Sequence, residues 1–377
     1  MLKTILSVYL GVVSAMSFAD SNYPVIAGKP HANPNKPFVE VYAHRGARSF
    51  SPENTIPAYK TGLAVGINWV DMDIGVTKDG VILVDHDIWL NPDILRKDGK
   101  FWANSKQEFY KNLESAPGGI EKNIQPYLVK NLTLAQLQKY DAGRLNPASP
   151  YAKYFSEQYP VDGTKMPTLQ EVADYVNKVT DNQVDFQIEI KNDPEHSDWT
   201  VSPKEFANKV NQFLVKNNLV ERAEIQSFDW VPLYELHKLN PKIKLAFLVG
   251  GDDIKRMYSS DPKQAGLWSG GKLLKDYGNS LPKMIKALGG SCYEPQDTAL
   301  TKEDLDEAHR LGLKVVVWTW VENSGSAFDP VIVDKLIKWG VDGIITDDPA
   351  RLNSMLAARG LPVPKNYPLY IDANIAK

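Results

Sequence analysis

The sequence predicts an α/β fold, a (β/α)8 barrel with one insertion after its second strand and hairpin. Three observations lead there. Short apolar runs rich in Val, Ile and Tyr alternate with helix-length amphipathic segments, about eight times between residues 39 and 346. Gly312 and Gly340 fall where helix C-caps belong. No Gly-x-Gly-x-x-Gly follows the first strand, which disfavours a doubly wound open sheet.

In chain order, Lys3, the apolar run Ile5 to Val13 and the small-residue site Ser17-Phe18-Ala19 read as a secretory signal over residues 1–19. The run is too short to span a bilayer, so stable membrane insertion is not expected. The chain is therefore expected to be exported, to a periplasm or to the medium. Asp20 to Pro37 is an irregular lead-in rich in Pro, Asn and Gly. Val39 to Ala43 is a strand that delivers His44 and Arg45 at its carboxyl end. Thr55 opens a helix that Gly66 stops. Asn68 to Gly75 is the second strand, and Asp79-Gly80 turns it into the return arm Val81 to Val84, which leads to His86-Asp87.

From about residue 88 to 165 the pattern changes. Pro, Gly, Tyr and Lys are frequent, and one helix stands out, Thr133 to Tyr140. This segment reads as an insertion on the face of the site, within a single domain over residues 20–377. Regular alternation then resumes. Thr168 and Glu171 form a capping box, and Ser202, Pro203 and Glu205 open another helix. Strands follow at Phe186 to Ile190, Glu224 to Ser227, Lys244 to Val249, near Gly289 to Tyr293, Val315 to Trp320, and Gly343 to Thr346, with helices between them.

Composition narrows the function. With 43% hydrophobic and 24% charged residues in 377, the chain can bury a large core. The net charge of -3 gives no electrostatic case for nucleic acid or an anionic membrane. The sole cysteine, Cys292, rules out an internal disulfide.

The chemistry-bearing residues cluster early. Asp71 and Asp73 are two apart on a strand and so share a face. Glu189 and Lys191 repeat that spacing on the next barrel strand, which sets Glu189 beside the pair. Three carboxylates without Cys or His ligands form a hard, all-oxygen set suited to Ca2+ or Mg2+ and not to zinc. His44 and His86 each follow a strand at its carboxyl end, where barrel active sites form. Cleaving a phosphodiester needs a base for the nucleophile and an acid for the leaving oxygen, and histidine titrates near neutrality. Arg45 offers a planar fork to phosphate oxygens. His31, His196, His237 and His309 read as structural.

These residues carry a resemblance. His44-Arg45-Gly46, Pro52-Glu53-Asn54-Thr55, Asp71-x-Asp73, Thr77-Lys78-Asp79-Gly80, His86-Asp87, Glu189-x-Lys191 and Thr346-Asp347-Asp348-Pro349 resemble, in order, the glycerophosphodiester phosphodiesterase family. The match runs from about Val39 to Leu352. The segment ending in Met166-Pro167-Thr168-Leu169 is similar to that family's insertion between barrel strands.

The resemblance implies a metal-dependent hydrolase that cleaves glycerophosphodiesters, such as glycerophosphocholine or glycerophosphoethanolamine, to glycerol 3-phosphate and an alcohol. It implies His44 and His86 as the general acid/base pair, Arg45 on the phosphate and Lys191 adding positive charge. It implies one divalent cation on Asp71, Asp73 and Glu189, with Ca2+ in first place and Mg2+ as the alternative. Many relatives carry Glu at the position of Asp71, and the shorter arm draws the ion closer or inserts a water. Glu53 is expected behind Arg45 or a histidine, or else as a charge at a helix N-terminus. Trp318 and Trp320 flank a strand end, where one walls the pocket against the glycerol carbons and at least one packs in the barrel. Phe228 and Tyr293 are further aromatic candidates. Asp347-Asp348-Pro349 reads as a capped turn before the last helix.

Two other classes compete. A phospholipase D-like relative would act on lysophospholipids or sphingomyelin, but such relatives lack the long insertion and carry disulfides. A binding protein that has lost catalysis would have little reason to keep both histidines and the carboxylates.

Overall fold

The computed structural model describes residues 38–319 and 328–367. The signal segment, the lead-in with His31, and Trp320 lie outside the described residues. Eleven strands follow in chain order: β1 (Glu40–Ala43), β2 (Trp69–Val76), β3 (Ile82–Val84), β4 (Arg96–Lys97), β5 (Tyr140–Asp141), β6 (Asp185–Ile190), β7 (Ala223–Ser227), β8 (Lys244–Val249), β9 (Cys292–Pro295), β10 (Lys314–Trp318) and β11 (Gly343–Thr346).

Eight of them close a parallel barrel in the order β1-β2-β6-β7-β8-β9-β10-β11, with β11 and β2 both paired to β1. β3 returns antiparallel on β2 across the Asp79-Gly80 turn, where Gly80 has φ 79°. The strands alternate as a barrel requires. Val70, Met72, Ile74, Phe186, Ile188, Ile225 and Val317 face outward into the main core, against Leu63, Val172, Phe206, Leu233, Ile285, Leu305 and Leu352. These last residues lie on the surrounding helices Ile56–Val65, Leu169–Thr180, Pro203–Lys216, Val231–Leu239, Leu281–Ala287, Lys302–Arg310 and Pro349–Ala358.

The local signals explain the helix limits. Thr168 and Glu171 form the expected reciprocal capping box, and Ser202 accepts from the Glu205 amide. Such a cap contributes about 1 kcal/mol. Gly340 ends its helix at φ 85°.

The segment after β3 holds more structure than its sequence suggests. Helices Lys106–Ser115, Gly119–Asn123, Leu134–Leu137 and Tyr151–Tyr154 and the β4–β5 ladder all fall within it. The expected helix Thr133 to Tyr140 shortens to one turn capped by Thr133, and Tyr140 enters β5. Lys106–Ser115 escapes a sequence reading because Phe109 is its one buried side chain, too thin a stripe to register as periodic. The segment packs on the barrel chain through two apolar clusters, one including Leu83 of β3 and the other Trp199.

Candidate active site

The site forms at the carboxyl ends of the barrel strands, on a loop the backbone reaches only with effort. Beyond Ala43, His44 and Arg45 share one 3-10 turn, and Arg45, Ala47 and Asn54 all take positive φ, at 51°, 92° and 54°. Side chains other than Gly resist that region, so such a cluster marks stored strain. Gly46, at φ 89°, is required in another way. A Cβ there would lie 2.8 Å from the backbone of Ala58 and Tyr59 in the first helix.

The loop aims its side chains into a buried ionic lattice. Arg45 pairs with Glu53 at 2.7 Å and with Asp73 at 3.3 Å, and its amide donates to Asp71 at 3.3 Å. Glu53 thus stands behind Arg45, and its carboxyl sits low because Arg45 and Arg48 outweigh the upward push of burial. Asn54 donates to Asp73 at 2.8 Å, and Gln226 on β7 donates to Asp71 at 2.6 Å.

Asp73 and Glu189 are register partners on adjacent strands, as the i, i+2 spacing requires. The Lys191 ammonium lies 2.6 Å from Glu189 and 3.2 Å from Asp73. Lys191 thus lies between Asp73 and Glu189, while Asp71, two residues before Asp73, has Gln187 as its register partner. The charges of the three carboxylates are unevenly balanced. Burial would raise Asp73, but Lys191 and Arg45 hold it well below the usual range. Burial, then Asp73 and Glu189, push Asp71 well up. Glu189 is pushed up to about 7, first by burial and further by Asp73, against Lys191. Lys191 and Arg45 offset part of this charge, and the donors that remain are all oxygen, the chemistry that suits a hard divalent cation.

Among the described residues, the group whose three potential ligand atoms all lie within 4.8 Å of one another is a different one: Glu224, Cys292 and Glu294. It lies deeper, toward the amino-terminal ends of the strands and fully buried, with Lys314 paired to Glu40 nearby.

His44 and His86 are both half-buried. His44 is lowered to about 4 by burial and by Arg48, against Asp347, and His86 to about 3 by burial, Arg45 and Lys191. Burial and the neighbouring cations thus favour the neutral form of both rings. Asp347 lies 2.6 Å from His44 Nδ1, and Arg48 clamps the same carboxylate with two contacts, at 2.5 and 3.1 Å. Arg48 and then His44 hold Asp347 well below its usual range despite burial. An ionised Asp347 accepts, so His44 carries its proton on Nδ1 and leaves Nε2 free to accept. His86 Nδ1 stands 3.5 Å from Asp87, too far for a strong hydrogen bond. Asp87 is held in turn by Lys106 and by Asn91 at 2.7 Å. Beside His86 opens a cavity of about 360 Å3 lined by Trp89, Glu189, Lys191, Phe228 and Trp268.

Of the aromatic candidates, Trp318 packs edge-on to Phe228 at 5.6 Å and donates to the Glu294 carbonyl at 3.2 Å. Tyr293 faces the outer core. His196 stacks on Trp199 at 4.0 Å, a structural contact.

The sequence reading of Asp347-Asp348 needs correcting for half the pair. Asp348 does cap the last helix, accepting from Arg351 at 2.9 Å, whereas Asp347 is committed to His44 and Arg48. The rule that favoured His44 marks the position of Asp347, which also follows a barrel strand at its carboxyl end, but not its partner. Gln226 was legible as the inward neighbour of Glu224 on β7. Arg48 and Asn54 lie inside stretches already singled out, without a pattern to mark them.

A barrel with paired imidazoles, an arginine fork and buried carboxylates at its carboxyl mouth has the equipment of a phosphoric diester hydrolase. Residues 44–351 match the model of the glycerophosphoryl diester phosphodiesterase family, and the chain belongs to that family. It is 26% identical over 320 residues to a glycerophosphodiester phosphodiesterase of Caldanaerobacter subterraneus subsp. tengcongensis, covering 85% of this chain and 98% of that one. A Bacillus subtilis enzyme of the same name is 26% identical over 314 residues, covering 81% and 83%. Among solved structures, a glycerophosphoryl diester phosphodiesterase from Silicibacter pomeroyi superposes with a TM-score of 0.69 at 26% identity, over 89% of this chain and 96% of that one. A phosphodiesterase from Oleispira antarctica, solved with sn-glycerol-3-phosphate, shares the fold at TM-score 0.55 and 18% identity, over 85% and 97%.

Proposed function

We propose that this enzyme hydrolyses glycerophosphodiesters, such as glycerophosphocholine or glycerophosphoethanolamine, to sn-glycerol 3-phosphate and an alcohol. The observation that carries the reading is the placement of two imidazoles, His44 and His86, beside the arginine-and-carboxylate lattice and an open cavity. One neutral ring takes a proton from the attacking water as its oxygen bonds to phosphorus. The bond to the leaving alcohol breaks, and that oxygen takes its proton from the other ring, which gains one from solvent as the negative phosphate binds. The negative phosphate raises the affinity of a neighbouring imidazole for the proton it must donate. Arg45, pinned by Glu53, presents its fork to a phosphate oxygen, and Lys191 adds charge where it develops. Trp318, with Trp320 outside the described residues, is proposed to contact the glycerol carbons.

Asp71, Asp73 and Glu189 would hold a divalent cation, Ca2+ before Mg2+, which when bound supplies Lewis-acid charge to the phosphate. The apolar run Ile5 to Val13 and the small residues Ser17 and Ala19 support an exported protein. No helix among the described residues is long and apolar enough to cross a membrane.

The test is glycerol 3-phosphate release from glycerophosphocholine, first after chelation and then with Ca2+ or Mg2+ restored. Activity that vanishes with chelator and returns with one ion supports the reading and names the ion. No glycerol 3-phosphate with either ion overturns it.

A further inference from the structure

We infer that Tyr151, brought to the site by the segment between β5 and β6, is a positioning residue that couples the phosphate-binding arm to the His44 imidazole. The inference rests on the reaction proposed above. Its basis is one hydroxyl in a chain of contacts. Tyr151 donates to the second oxygen of Glu53 and accepts from Arg48 at 2.8 Å. Glu53 holds Arg45 at 2.7 Å, and Arg48 holds Asp347, which holds His44. Arg45 and His44 are thus linked, side chain to side chain, through Glu53, Tyr151, Arg48 and Asp347. Removing the tyrosine oxygen opens that chain at its middle.

The loop needs such a fastening. Arg45, Ala47 and Asn54 hold left-handed backbone that persists only when the surroundings over-determine it. Part of that constraint comes from the same distant segment. Phe155 lies 4.6 Å beneath the Arg48 guanidinium, Gln158 donates to the Arg48 carbonyl at 2.7 Å, and the Tyr159 amide donates to the Phe50 carbonyl at 3.1 Å. These contacts grip the loop between Arg48 and Phe50. Tyr151 alone in that group touches charged side chains that lead to both Arg45 and His44. Its ring also packs edge-on to Phe155 at 5.1 Å, so Tyr151→Phe removes the oxygen and keeps the packing.

The experiment compares full-length wild type, Tyr151→Phe, Glu53→Gln, the double variant, and Tyr154→Phe as a control on the same short helix. Two readouts are taken: glycerol 3-phosphate release, and amide hydrogen exchange over residues 44–55. In Tyr151→Phe, kcat should fall about tenfold while the fold is retained, because misplaced reacting groups slow the chemical step more than they weaken binding. Exchange should rise in residues 44–55 and stay unchanged in the barrel strands. The double variant should be no slower than Glu53→Gln, since both changes open one chain. Tyr154→Phe should keep wild-type kcat. Wild-type kcat in Tyr151→Phe, fully additive losses in the double variant, or unchanged loop exchange would each overturn the inference. Should wild type release no glycerol 3-phosphate, the proposed reaction fails, and the exchange measurement still decides whether Tyr151 holds the loop.

Discussion

The barrel buries two groups of acids, and they behave differently. At the floor, Glu224 and Glu294 lie with Cys292 under a Tyr42–Trp69 stack at 5.2 Å, and the Lys314 ammonium sits 5.0 and 4.6 Å from those two rings. At the mouth, Asp71, Asp73 and Glu189 meet Arg45 and Lys191 beside an open cavity. The floor is the tighter cluster and the mouth the accessible one. Density of potential ligands is therefore a poor guide to chemistry. Two imidazoles, a cavity and a strained loop mark the mouth, and not the sealed floor, as the proposed site of chemistry.

The sharpest way to break this contrast is to remove an imidazole. His44→Ala and His86→Ala should each lower kcat by about a thousandfold, within the range of general acid–base catalysis, with the circular dichroism spectrum unchanged. A near wild-type rate in either variant would end that residue's assignment. Next in size, Asp73→Asn and Glu189→Gln should raise the metal concentration for half-maximal activity by about tenfold or more. A titration unchanged in one of them would strike that residue from the ligand set.

Stability against pH should separate His44 at the mouth from Glu294 at the floor by sign. His44 stays neutral in the fold down to about 4, whereas the unfolded chain takes up that proton near 6.5. Stability should therefore fall as pH drops from about 6.5 toward 4, and His44→Gln should flatten that limb. Glu294 is raised well above 4.5 by burial, then by Glu224 and Asp71. It costs stability as pH rises past about 4.5, and Glu294→Gln should flatten that opposite limb in thermal melts across pH. The smallest effect expected is on rate: Glu294→Gln should keep kcat within about twofold, because its charge reaches the site through Asp71 rather than through His44 or His86. A large loss there would mean that floor and mouth act as one unit.

Much of this was legible in the sequence, for identifiable reasons. Strands buried on one face by helices and on the other by the barrel interior read as compact apolar runs, and the spacing of Asp71 with Asp73 and of Glu189 with Lys191 survives folding as register. What was hidden depended on long-range pairing. The role of Asp347 follows from β11 lying against β1 with Thr346 opposite Ala43, which no local pattern encodes. Tyr151 is 98 residues from Glu53, on a four-residue helix with no buried residue of its own to announce it. Lys106, which braces Asp87, sits on a helix whose polar composition reads as loop.

The closure of the ring has a consequence for biogenesis. β1 is flanked by β2 and β11, and His44 and Asp347 are separated by 303 residues. The imidazole has no carboxylate partner until the final strand docks, so a polypeptide that stalls or is clipped before residue 343 retains most strands and lacks that pairing. In the reaction proposed here, competence and completeness then arrive as one event. An unfinished molecule is silent instead of being active without control.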